Sequence, residues 1–127
     1  MSRKMLVGLI VALFVQFSFG NGVLPLLPIY ALHVGASPAL AGWFTAFAFL
    51  CLAGGALIAG GRGGLFQRRM LLLALAIPGI PLIAMMGRVT MVWQLMVLTG
   101  VNWFAGGIAL TSLSIIATRH AAESERG

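Results

Sequence analysis

Acidic residues are nearly missing from this chain. Of its 127 residues only Glu123 and Glu125 are acidic, and charged residues of both signs make up 8%. A water-soluble domain carries about a quarter charged residues, so the composition points to a bilayer. Cysteine is equally scarce. Cys51 stands alone, which removes any internal disulfide or thiolate zinc site and leaves a packing role. The net charge of +6 and the pI near 11.6 look like a nucleic-acid signature. They rest on eight Lys and Arg against two acids, a scarcity of acids and not a basic surface, so no nucleic-acid partner is expected. No cofactor, metal or enzymatic activity is expected either.

Hydrophobic residues fill the gap. They make up 61% of the chain, and the mean hydropathy is +1.07. Four apolar runs are free of Asp, Glu, Lys and Arg: Met5 to Leu32, Pro38 to Gly61, Met70 to Gly87 and Val89 to Thr118. Each is long enough for a helix of ~17–25 residues across a hydrocarbon core of ~30 Å. The expected fold is all-α: a polytopic membrane protein with four transmembrane helices at about 5–32, 38–60, 69–87 and 90–118, in one membrane domain over 1–127. Short connections make neighbours antiparallel. The opening "MSRK" and the apolar run after it resemble a signal peptide, but that run continues well past ~15 residues, so cleavage is not expected.

Charge placement sets the orientation. With the N-terminus inside, Arg3, Lys4, Arg62, Arg68, Arg69, Arg119 and Arg126 are cytoplasmic and only Arg88 is outside, a strong positive-inside bias. Tyr30, Trp43 and Trp93 then all fall at the outer interface, where amphipathic rings prefer to sit. Both termini are expected in the cytoplasm. The stretch "GGRGGLFQRRM", Gly60 to Met70, becomes the inner turn between the second and third helices. It lacks the preceding strand and the Gly-Lys-Ser/Thr end of a phosphate loop.

The polar residues inside the runs are Gln16, Ser18 and Asn21 in the first helix and Gln94, Thr99 and Asn102 in the fourth. Ser18, Asn21 and Pro25 share one helical face, and Asn102 lies one turn from both Thr99 and Gly106. Two readings stand side by side. The asparagines line a substrate path, or they make interhelical hydrogen bonds of ~0.6–2 kcal/mol that need no ligand. "GNGVLPLLP" leans Asn21 towards the first, because Pro25 and Pro28 remove backbone donors and irregular backbone at membrane depth lines cavities or is buried in protein. The small residues of the second helix (Gly42, Ala46, Ala53 to Ala56, Gly60) are read as packing, and Trp103 as core or lipid-facing. His33 and His120 are read as solvated, and no run contains a carboxylate to carry a proton.

Three segments together resemble the N-terminal part of the major facilitator superfamily of secondary transporters, especially its bacterial efflux-type members. "GVLPLLPIYALHVGASPALAGWF" is similar to the family's proline-bearing first helix end, outer loop and second helix start. "GALIAGGRGGLFQRRMLLL" falls where the family has the inner loop Gly-x-x-x-Asp-x-x-Gly-Arg-Arg/Lys, and Gly60, Arg68 and Arg69 match it. "GGIALTSLSIIATRHAAESERG" resembles the end of the fourth helix and the loop after it. The pattern departs at Gly64, in place of the Asp, at Gln67, in place of a Gly, and at Asn102, where many proton-driven members carry Arg.

The resemblance implies a bacterial inner-membrane transporter, an exporter of small, largely apolar molecules that works by alternating access. Gly60, Arg68 and Arg69 would form its inner-loop gate. Asn21, Asn102, Ser18, Gln16 and Gln94 would line its cavity, since the first and fourth helices are symmetry mates in that family. The expected partners are the bilayer, a small-molecule substrate and the transporter's remaining helices. Lacking those helices, the fourth helix should turn its small-residue face, Gly100 to Gly107, and its Thr111–Ser114–Thr118 stripe to lipid or another copy. The alternative, from a different class, is a self-contained four-helix membrane protein with a binding or assembly role.

The orientation is checked by cysteine labelling in a Cys51→Ser background. A cysteine at Ser37 should react with an impermeant thiol reagent applied outside cells, and one at Gln67 should not. The reverse pattern would overturn the orientation.

Overall fold

The computed structural model describes residues 3–61 and 65–124, apart from some side chains in the first, third and last long helices. All its regular elements are helical. They are α1 (Arg3–Val23), a 3-10 turn (Leu24–Leu26), α2 (Leu27–His33), α3 (Pro38–Gly61), α4 (Leu65–Met86) and α5 (Val92–Ser124).

The expected first helix, about 5–32, is broken. Pro25 and Pro28 have no N–H to give to the carbonyls one turn earlier, so the chain tightens through Leu24–Leu26 and restarts as α2. The break lets α2 bury Leu27 and Ala31 against Ala41, Phe44 and Ala48 of α3. α2 ends at Gly35, which takes φ +97°. The Ala36 N–H donates to the Ala31 carbonyl at 2.9 Å and the Gly35 N–H to that of Leu32 at 3.1 Å, a Schellman ending that satisfies otherwise orphaned carbonyls. Two residues later the Ser37 hydroxyl accepts from the Leu40 N–H at 3.3 Å. Ser at the cap with Pro38 at the first helical position starts α3 at once.

The other boundaries shift by a few residues. α4 begins at Leu65, so Leu65 to Met70 is helix where the sequence reading placed a turn. Leu, Gln and Arg are good helix formers, and the family-type loop glycine is replaced by Gln67. α5 starts at Val92 and runs 33 residues to Ser124, roughly 50 Å at the usual rise and longer than a hydrocarbon core.

α3 and α5 form the dominant interface, and α4 packs mainly on α5. Glycine makes the close approach possible. A methyl at Gly55 would land on the Phe104 carbonyl oxygen of α5, and one at Gly107 on the Leu52 carbonyl oxygen of α3. Gly100 packs beside the Phe47 ring and Cys51. The Gly100 to Gly107 face is therefore buried on α3, not turned to lipid or another copy as expected. The Ser114 and Thr118 part of the neighbouring stripe is exposed. Both hydroxyls donate to carbonyls one turn back, Ser114 to Leu110 at 2.9 Å and Thr118 to Ser114 at 2.8 Å, which satisfies them within the helix.

Among the described residues two helices are long and apolar enough to cross a membrane, Pro38–Gly61 and Val92–Arg119, and not four. The apolar stretch Met70–Met86 of α4 is shorter. Only 22% and 33% of the two qualifying stretches are buried inside the chain, unlike the core helices of a water-soluble protein. Large apolar side chains such as Leu57, Ile58, Ile77 and Ile80 stand exposed.

The interface can be tested by one methyl group. Gly107→Ala should destabilise the fold by about 1–3 kcal/mol, the usual cost of overpacking, in denaturant titration of the protein in detergent. Gly42 has open space around it, so Gly42→Ala should cost nothing and gain slightly from helix propensity. Equal behaviour of the two variants would show that the close approach is not what holds α3 to α5.

Candidate functional site

A cleft of about 100 Å³ opens where α1, α3 and α5 meet. α1 contributes Phe17, Gly20 and Asn21, which the i, i+3, i+4 spacing puts on one face. Phe49 and Leu52 of α3 form another wall. α5 presents Asn102, Trp103 and Gly106, then Ala109, Leu110 and Leu113 further along. Asn102 is ten residues into α5, roughly 15 Å from its start.

The polar groups are few and uncharged. The Asn21 amide nitrogen donates to the Phe17 carbonyl at 2.9 Å, which leaves one amide proton and the side-chain oxygen unused. Asn102 is 7% exposed. Asn102 thus brings a carboxamide to the cleft wall, which suits a ligand with its own donor or acceptor. Phe17, Phe49 and Trp103 supply aromatic surface, and none of the described lining residues is charged. The arrangement suits a small neutral molecule, mostly apolar, with one or two hydrogen-bonding groups.

The other expected cavity residues lie elsewhere. Ser18 is exposed and is not part of the cleft wall. The Gln16 side chain lies outside the described residues. Gln94 sits at the start of α5, eight residues or about 12 Å along the axis from Asn102. Its Oε1 accepts from the Thr90 N–H at 3.2 Å, a capping role at a helix start. Thr99, expected beside Asn102, is fully buried, and its hydroxyl has no partner in the structure. Trp103 and Phe17 were not legible as cleft residues, although Trp103 adjoins Asn102 and Gly106 follows one turn later.

At the opposite pole from Gly35, Arg68 reaches back from the start of α4. Its Nη1 donates to the Ala59 carbonyl at 2.7 Å, and the side chain is buried. Ala59 is in the last turn of α3, where carbonyls lack intrahelical donors and the helix dipole favours a cation. Arg68 thus ties α4 to the end of α3 around residues 62–64, which, with Arg62 and Gly64, lie outside the described residues. Gly60 is exposed with open space beside it, so packing does not require a glycine there. The Arg69 side chain lies outside the described residues.

No protein-family model matches this sequence, and no curated protein or solved structure is significantly similar to it.

The Arg68 clasp has a local readout. A hydrogen bond from a charged group contributes about 1.5–3 kcal/mol, so Arg68→Met should raise amide hydrogen exchange over residues 60–66 roughly ten- to hundredfold. Exchange unchanged from the parent protein would mean that Arg68 does not hold this end.

Proposed function

We propose that the chain is an integral membrane protein with four spans and both ends in the cytoplasm, and that it forms part of a secondary transporter. Its cargo is a small, uncharged, largely apolar molecule, carried outward by alternating access. The observation that carries this reading is the cleft joining Asn21 of α1 to Asn102 of α5, the two helices that the major facilitator resemblance relates by symmetry.

Three further features support it. α1 and α4, at 21 and 22 residues with charged residues in their first turns, would complete the four spans beside α3 and α5, although the apolar stretch Met70–Met86 of α4 is shorter than the two qualifying helices. Tyr30, Trp43 and Trp93 cluster at the end that holds the 34–37 and 87–91 turns, with the Tyr30 hydroxyl donating to the Val89 carbonyl at 3.4 Å. The Arg68 clasp ties the other end, where the family-type inner gate would stand, with Gly60, Arg68 and Arg69 as its residues. Among the described lining residues there is no carboxylate or arginine.

The test is made in the host that produces the protein. Asn21→Leu and Asn102→Leu should each lower export of small apolar dyes at least tenfold while membrane abundance stays near normal. If abundance falls and export per molecule is unchanged, the asparagines serve packing and the transport reading of the cleft is wrong.

A further inference from the structure

Beside the cleft, α5 carries a second and larger concavity with a different chemistry. An open groove of about 710 Å³ runs between α3 and α4 along α5, from Val97 through Val101 to Ile108. Its walls are Phe47 and Cys51 of α3 and Leu75 of α4, and its described lining has no charged side chain and no polar group beyond the Cys51 thiol and the Met96 thioether. At Val97 it meets a second groove of about 470 Å³ that contains Arg88 and Gln94. The two form one amphiphilic channel, apolar over most of its length and cationic at one end.

We propose that this channel binds one anionic phospholipid, with its phosphate at Arg88 and Gln94 and an acyl chain along Val97, Val101 and Ile108. Charge complementarity selects the head. Arg88 is exposed and its guanidinium has no acidic partner among the described residues, while the Gln94 amide nitrogen remains free because only its oxygen is used at Thr90. Length selects the tail. Gln94 to Ile108 spans fourteen residues, roughly 21 Å, and one leaflet with its headgroup layer is about 20–22 Å deep. The site rests on the membrane-spanning reading but not on transport.

Resistance to alkaline extraction establishes insertion first, and an extractable chain overturns the membrane reading and the site together. For the inserted protein, native mass spectrometry after exchange into equal phosphatidylglycerol and phosphatidylcholine reads the site. One retained lipid per chain is expected, with about fivefold preference for phosphatidylglycerol, the weight of one arginine near an anionic surface. Arg88→Gln should bring the preference to about one, Arg119→Gln at the other end of α5 should leave it, and Ala105→Phe should reduce retention of both lipids. Arg88 and Arg119 are exposed, so their variants decide the matter even if Ala105→Phe does not fold. Absence of preference, preference surviving Arg88→Gln, equal loss in Arg119→Gln, displacement by millimolar inorganic phosphate, or a dimer in place of the retained lipid would each overturn the proposal.

Discussion

Everything in this fold leans on two glycines facing two carbonyls. In a bilayer, lipid tails are as apolar as leucine, so helices gain little from hiding apolar side chains and associate through close packing instead. Gly55 and Gly107 let the backbones of α3 and α5 meet at the Phe104 and Leu52 carbonyls. That reciprocal contact sets the spacing at which Phe44, Ala48, Leu95 and Trp103 fill the remaining volume. Both the cleft and the groove are edges of this one interface: Leu52 and Gly106 wall the first, Phe47, Cys51 and Gly100 the second.

The same logic governs the ends of the helices, where backbone groups lose their partners. Each described connection satisfies them by a different device. The Schellman turn at Gly35 and the Ser37 cap serve the α2–α3 junction, Gln94 and Thr90 start α5, and Arg68 covers an orphan carbonyl of α3. These devices place charge and polarity at the two poles of the bundle and leave its middle to apolar contact. Asn21 and Asn102 interrupt that pattern on the same cleft, which is why the cleft is the chemically distinctive place in the molecule.

Much of this was legible in the chain. Arg62 marked the end of α3 to within one residue and the charges at Arg88 and Arg119 placed α5, because charges limit where an apolar helix can lie. No charge precedes α3, whose start at Pro38 was legible only in the break between apolar runs. "LPLLP" signalled the disturbance of the first helix, although not that α2 would restart as a separate element packed on α3. Tertiary facts were harder to read. A glycine does not announce which neighbour it will meet, so Gly107 and Gly100 read as an unpartnered face when they are the interface, whereas Gly42 and Gly60 read as packing and stand in open space. A polar residue near a helix start is ambiguous in the same way. Gln94 has the composition of a cavity residue but the position of a cap, and position decides its role.

The distribution of contacts among the helices is uneven, and that unevenness bears on mechanism. α3 and α5 are locked by backbone contact and α4 rests on α5, while α1 touches α4 and α5 over a much smaller area. Phe14, Val11 and Val7 of α1 stand largely exposed. The helix is joined to the rest through the 3-10 turn at Leu24–Leu26, where Pro25 lacks a backbone donor, with Pro28 following in α2. Asn21 lies just before that turn, on the loosely held wall of the cleft, and Asn102 lies on the rigid one. The two asparagines of the cleft therefore stand on walls that the rest of the bundle holds to different degrees. Pro25 and Pro28 withdraw two backbone donors around this junction, while the Leu27 N–H still donates to the Leu24 carbonyl, so α1 is joined to α2 by fewer helical bonds than a continuous helix would have.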